Sequence, residues 1–305
     1  MNPLKFAYKT LRALMPKEYW LLVLKFSGFV FRNVPDDEYL KRMYKFRMGR
    51  ELDLDNPRTF TEKLQWLKLY DRRPEYTLMA DKYAVKKLIA DKIGSEYVIP
   101  LLGVWDKFDD INFDSLPRSF VLKCTHDSGS VIVVPDKTSF NRAHVRRLLT
   151  RGLNHDFFRL FREWVYKDIK PRIIAEEYLP DISAEYKFFC FSGEPKIVLV
   201  CKGKAHAAGR TNDFYDIGFT HIPLTGSYPN SPEHDSKPSE YDEMLSLARK
   251  LSAGIPQVRI DTFLAGGKVY IGEMTFYHEA GLCHFKPEIY DEQFGAFITL
   301  PEKRG

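Results

Sequence analysis

The segment from Val258 to Thr275 constrains the fold most. Two strand-forming runs, Val258 to Leu264 and Lys268 to Thr275, flank Ala265-Gly266-Gly267, which is the pattern of a β-hairpin. Arg259, Asp261, Glu273 and Thr275 are polar within strands that otherwise read as half or fully buried. A three-residue Ala265-Gly266-Gly267 turn pairs Leu264 with Lys268 and, carried along the ladder, sends all four polar side chains out of one face. A two-residue Gly266-Gly267 turn shifts the register by one and puts Asp261 and Glu273 on opposite faces. The three-residue turn, with a glycine in the left-handed region, is the expected connection.

Two carboxylates and a hydroxyl beside a guanidinium suit one or two Mg²⁺ ions holding substrate phosphates, because that hard cation takes oxygen ligands. Arg259 would then meet developing negative charge. Read alone, the hairpin fits equally well a cross-strand Arg259–Glu273 ion pair on a solvated sheet face.

Upstream, periodicity alternates between helix and hairpin in blocks, which specifies an α+β fold rather than one parallel sheet. Residues 56–100 read as helical, opened by Asn56-Pro57, with a second helix beginning near Asp81 and ended by Gly94. From Ser119 the period changes: strand Phe120 to Lys123, loop Thr125 to Ser130, strand Val131 to Val134. Residues 141–163 return to helix, 173–175 form a short apolar strand, and Tyr186 to Phe191 with Lys196 to Cys201 form a hairpin around Ser192-Gly193-Glu194. Residues 205–238 read as loop flanking a site, and Glu240 to Ala253 as helix. The expected organisation is 1–55 basic amphipathic helices, 56–118 an N-terminal lobe, 119–179 a central subdomain and 180–305 a C-terminal subdomain with the hairpin.

The chain's 305 residues, 44% hydrophobic and 29% charged, suffice for a large core and exclude disorder and small disulfide scaffolds. Cys124, Cys190, Cys201 and Cys283 are far apart with no CxxC pair, so buried reduced thiols in the cytoplasm are expected. The apolar stretch Tyr19 to Val30 carries Lys25, lacks a cleavage site and is too short to span a membrane. Net charge is +5, spread thinly enough that nucleic acid is not an expected partner. Basic residues interleaved with Phe, Leu, Tyr and Trp over residues 1–50 suit either solvated outer helices or peripheral contact with an anionic membrane.

Three further segments carry chemistry only weakly when taken singly. Lys123 on a strand, followed by Ser128-Gly129-Ser130, puts an ammonium and free backbone N–H groups within reach of a polyphosphate. Asp81-Lys82 at a helix start favours a phosphate. Glu176-Glu177-Tyr178-Leu179, just after the 172–175 strand, is a linker whose backbone could read an adenine edge.

The order of these signals resembles the ATP-grasp superfamily, and within it the group named for TupA, the teichuronopeptide biosynthesis protein. The resemblance runs from about Pro35 to Pro301. It is carried by Asn56 to Trp66, Asp81-Lys82-Tyr83-Ala84-Val85, Phe120-Val121-Leu122-Lys123 with Ser128-Gly129, Glu176 to Leu179, Tyr186 to Gly193, Val258-Arg259-Ile260-Asp261 and Gly272-Glu273-Met274-Thr275-Phe276. It implies two α+β subdomains gripping ATP, preceded by N-terminal helices. Lys82, Lys123 and the Ser128-Gly129-Ser130 loop would hold phosphates, Glu176, Glu177, Tyr178 and Leu179 would contact adenine, and Glu185 the ribose or a phosphate. Asp261, Glu273 and Thr275 would bind Mg²⁺, and Arg259, Lys123 and Lys187 would be catalytic. Thr275 stands where the superfamily usually has Asn, and Glu185 where Asp is expected.

The implied reaction is ATP-dependent carboxylate activation as an acyl phosphate, then capture by an amine to form an amide. An anionic sugar or peptide carboxylate, a uronic acid or glutamate of cell-surface polysaccharide or capsule, is the expected acceptor. His126, His206 and His278 are candidate bases, and Lys202, Lys204 and Arg210 fit an anionic sugar. The rival readings are a glycosyltransferase using Asp53-Leu54-Asp55 as a DxD motif, and a noncatalytic polysaccharide- or membrane-binding subunit.

Overall fold

The computed structural model describes residues 33–182, 184–203 and 209–303. The basic cluster from Lys5 to Arg32, the apolar stretch from Tyr19, Lys204 and His206 therefore lie outside the described residues. Among the described residues no helix is long and apolar enough to cross a membrane.

Among the described residues two antiparallel sheets organise the fold, as the block alternation predicts. The smaller contains β1 (Leu101–Trp105), β2 (Phe120–Cys124), β3 (Val131–Val134) and β4 (Ile173–Glu177) in the order β1-β4-β2-β3. The larger contains β5 (Glu185–Phe191), β6 (Glu194–Lys202), β7 (Thr211–Asp216), β8 (His221–Ile222), β9 (Gln257–Ala265) and β10 (Lys268–Thr275) in the order β10-β9-β5-β6-β7-β8.

Helices cover these sheets where their apolar stripes dictate. Before the sheets come α1 (Asp36–Met48), α2 (Phe60–Tyr70), α3 (Pro74–Ala80) and α4 (Ala84–Ile93); later come α5 (Arg142–Leu153), α6 (Phe157–Phe161), α7 (Tyr241–Ser252) and α8 (Ile289–Ala296). A capping box starts α2: the Thr59 hydroxyl accepts from Glu62 N while Glu62 accepts from Thr59 N. Val145 and Leu149 of α5 pack with Phe113, Phe120 and Leu122 in the small-sheet core. Tyr241, Met244, Ala248 and Leu251 of α7 are buried against β5, β6 and β9. All four cysteines are buried free thiols.

The segment between α3 and β1 touches both sheets. Lys82 N donates to Thr125 O beside β2 (3.2 Å), and Val98 bridges Ile271 of β10. Three boundaries differ from the sequence reading. Lys82 lies in the turn ahead of α4, not on it, because the Asp81 carboxylate accepts from Tyr83 N and the helix starts only at Ala84. The 141–163 helix is two helices, broken where Asn154 caps α5 and Asp156 opens α6. Residues 205–238, read as loop, contain β7 and β8. β7 (Thr-Asn-Asp-Phe-Tyr-Asp) has no apolar alternation, yet it pairs with β6 and its residues from Asn212 to Tyr215 are buried.

Candidate active site

The C-terminal hairpin reaches the convergent geometry by a different route from the one expected. Its turn has two residues, Gly266 (φ +57°) and Gly267 (φ +71°), both in the left-handed region that a tight hairpin turn requires, and Lys268 lies opposite Ala265. That register would separate the two carboxylates. One extra residue, Gly272, inserted between Ile271 and Glu273 corrects it, so Glu273 faces Asp261 and Thr275 faces Arg259. Gly272 is required here because a Cβ would overlap the Phe263 ring packed on it. On the other side of β9, Lys187 of β5 lies opposite Asp261. Directly opposed residues share a face, so Lys187, Asp261, Arg259, Glu273 and Thr275 converge.

Their polar atoms form one chain. Arg259 grips Asp261 bidentately, Nε to Oδ1 at 2.6 Å and Nη2 to Oδ2 at 2.7 Å. Lys187 Nζ lies 2.8 Å from Asp261 Oδ2 and 2.9 Å from Glu185 Oε2. Arg259 Nη2 donates to Thr275 Oγ1 (3.1 Å), which donates to Glu273 Oε1 (3.1 Å). Arg259 Nη1 donates to His278 Nδ1 (2.6 Å), so that imidazole is neutral. Burial pushes the His278 pKa well below its ordinary value, and the Arg259 charge adds to this. Asp261 is 1% exposed. Burial raises its pKa, but Arg259 and Lys187 outweigh that and hold it at about 2.

Glu273 differs from Asp261: its side chain is 39% exposed, and Lys82 Nζ is 3.9 Å from its Oε2. The donor set therefore fits a Mg²⁺ ion. Glu273 offers an accessible carboxylate without a short cationic hydrogen bond, and Asp261 is ionised on the same face. Thr275 Oγ1 is engaged by Arg259 and Glu273, which makes it a weaker ligand than either carboxylate.

The small sheet supplies a second charged cluster. Glu176 is not in a linker after the strand, as the sequence reading has it, but within β4, which pairing with β1 and β2 extends to Glu177. Its buried carboxylate takes Lys123 Nζ at 2.5 Å and Lys86 Nζ at 2.6 Å. Burial raises the Glu176 pKa, but the two ammonium groups outweigh it and leave the group ionised below the ordinary carboxylate range. Burial lowers that of Lys86 despite Glu176. Lys82 Nζ donates to Asp127 O (2.5 Å) at the start of the 127–130 turn. There the Ser130 hydroxyl donates to Asp127 and Ser128 and Gly129 are exposed. Lys82 thus joins the loop after β2 to Glu273 on β10.

The other expected residues scatter around this centre. Glu177 is exposed, and Tyr178 and Leu179 are half-buried. Glu185 is held by Lys187 and by Arg210 (3.3 Å). His126 is buried, with Nε2 3.2 Å from His155 O. The DxD carboxylate of Asp53 accepts from Asp55 N (3.0 Å) and Asn56 N (2.9 Å), and Leu54 is buried, which makes this segment a self-capped turn. Sequence reasoning missed Lys86, whose partner Glu176 is remote in sequence. It also missed the His278–Arg259 contact, which no local pattern announces.

A family model described as TupA-like ATP-grasp matches residues 62–299. No curated protein matches the chain. Among solved structures, the D-alanine–D-alanine ligase of Bacillus anthracis complexed with ATP is similar at 19% identity and a TM-score of 0.39, over 65% of this chain and 55% of that one. The L-amino acid ligase of Bacillus licheniformis is similar at 12% identity and 0.45, over 81% and 56%. An N5-carboxyaminoimidazole synthetase from Staphylococcus aureus is similar at 12% and 0.38, over 73% and 53%. The chain spans a little over half the length of these structures.

Proposed function

Taking as premise that the chain belongs to the TupA-like ATP-grasp family, we propose that it is an ATP-dependent carboxylate–amine ligase working through an acyl phosphate. The observation that carries this reading is the bridge from Lys82, beside the 127–130 turn, to Glu273 in the polar row of Asp261, Arg259 and Lys187. A triphosphate bound between those groups would meet ammonium groups on one side and carboxylates on the other.

In this reading Lys82, Lys123 and the Ser128-Gly129-Ser130 turn, in which Ser128 and Gly129 are exposed, bind phosphate oxygens. Glu177, Tyr178 and Leu179 contact adenine and Glu185 the ribose, while the Glu176 carboxylate orients Lys123 and Lys86. Glu273 and Asp261, with Thr275 in support, hold Mg²⁺, which neutralises phosphate charge when bound. Arg259 and Lys187, fixed by Asp261 and His278, present positive charge to the transferring phosphoryl group. A substrate carboxylate oxygen attacks the γ-phosphorus and ADP leaves. An amine nitrogen then attacks the acyl carbon, phosphate departs with the former carboxylate oxygen, and the nitrogen loses a proton. Because an acyl phosphate hydrolyses readily, the 125–130 loop serves to keep water out.

The acceptor favoured is a uronic acid or glutamate carboxylate of a cell-surface polysaccharide, with an amino acid or amine as donor and the cytoplasm as the site of action. Lys202 and Arg210 are already paired with Asp235 and Glu185, so the anionic acceptor rests on the family resemblance rather than on these two cations. The test is a screen of uronic acids, glutamate and amino acids for stimulated phosphate release, with mass spectrometry of the product. The reading requires a product one water lighter than its two precursors. Release of UDP or GDP from a sugar donor without ATP use overturns it.

A further inference from the structure

On the face of the large sheet opposite the candidate active site, three metal-ligating side chains meet at its far edge. Asp213 and His221 share that face through the pairing of β7 with β8, and His234 folds over from the following segment. The ligand atoms of Asp213, His221 and His234 all lie within 4.8 Å of one another. Asp213 Oδ1 is 3.6 Å from His221 Nε2 and 3.9 Å from His234 Nδ1. These separations lie beyond direct hydrogen bonds and a few tenths of an ångström beyond the ~3.4 Å between ligands of a tetrahedral zinc with bonds of about 2.1 Å.

Three features make this more than a chance cluster. His221 Nε2 is buried and has no hydrogen-bond partner, a cost that a bound cation would remove. The two imidazoles stack at 3.6 Å between centroids, which brings both rings together beside Asp213. Asp213 is fully buried, and both its oxygens accept from Ser231 N at 3.1 Å, an outer hydrogen bond that fixes the carboxylate. His234, with half its side chain exposed, leaves a way in from solvent.

We propose that Asp213, His221 and His234 form a binding site for a divalent transition-metal ion, with Zn²⁺ the best match to two imidazoles and one carboxylate, distinct from the oxygen-lined Mg²⁺ site on the other face. Three protein ligands leave the fourth position to water or a substrate group. The ion would clamp β8 and the segment carrying His234 onto β7, and with them Asp235, whose backbone N–H donates to Tyr215 and whose carboxylate pairs with Lys202.

The test is titration of the chelator-treated full chain with Zn²⁺ in excess Mg²⁺, which occupies oxygen-only sites, and in parallel with Co²⁺, whose visible bands report four-coordination. His234→Ala is the informative variant, because that side chain is half exposed and its loss leaves the core intact. The expected result is one Zn²⁺ per chain, the four-coordinate Co²⁺ spectrum, and at least a tenfold weaker affinity in the variant. No binding by the unaltered chain, or equal affinity and spectrum in His234→Ala, overturns the proposal.

Discussion

Arg259 and Asp261, two residues apart on one face of β9, are locked into a bidentate pair at 2.6 and 2.7 Å, and Lys187 closes the same carboxylate from the neighbouring strand. Removing the carboxylate takes from Arg259 its bidentate partner and leaves Lys187 with Glu185 alone, so two buried cations lose most of their compensation. Asp261→Ala should therefore destabilise the fold by about 3–5 kcal/mol in urea denaturation, as breaking a buried ion pair does.

Glu273 sits in the same row but is partly exposed, so its loss should separate activity from folding. Glu273→Gln should change stability by less than about 1 kcal/mol while abolishing ATP turnover. Equal loss of both would make Glu273 a structural residue.

Gly272 sets the register that brings the two carboxylates together. Gly272→Ala should cost about 1–3 kcal/mol by overpacking against Phe263 and should reduce turnover by more than the stability loss explains. Adding Phe263→Ala makes room for the methyl group, so the double variant should recover turnover relative to Gly272→Ala. Steady-state phosphate release of the three proteins decides this.

His278 is held neutral by burial and by the Arg259 charge. Its folded pKa lies below the unfolded value of about 6.5, so the unfolded chain binds more protons in acid. The stability it contributes is present above pH ~6.5 and is lost as pH falls toward its depressed folded value. Denaturation midpoints measured between pH 7 and 5 should fall less steeply for His278→Gln than for the unaltered chain.

Much of this was legible in the sequence because local chemistry and tertiary structure agree. The β5–β6 hairpin at Ser192-Gly193 and the polar row within otherwise apolar strands follow from residue type and spacing. The turn length was not legible, since Ala265-Gly266-Gly267 supports two registers and the bulge at Gly272, with Phe263 packed on it, lies beyond the turn. β7 was hidden because Asn212 and Asp213 read as loop residues, whereas pairing with β6 takes up their backbone and the Ser231 N–H holds the Asp213 carboxylate. Glu176 looked like part of a linker because its two lysine partners come from α4 and β2, far away in sequence.

The central claim is that a carboxylate oxygen is phosphorylated before the amine arrives. Substrate labelled with ¹⁸O in its carboxylate, incubated with ATP, Mg²⁺ and amine, should yield inorganic phosphate carrying one ¹⁸O per amide formed, with none from Glu273→Gln. Amide formation with unlabelled phosphate, or ¹⁸O appearing in AMP, would contradict the account.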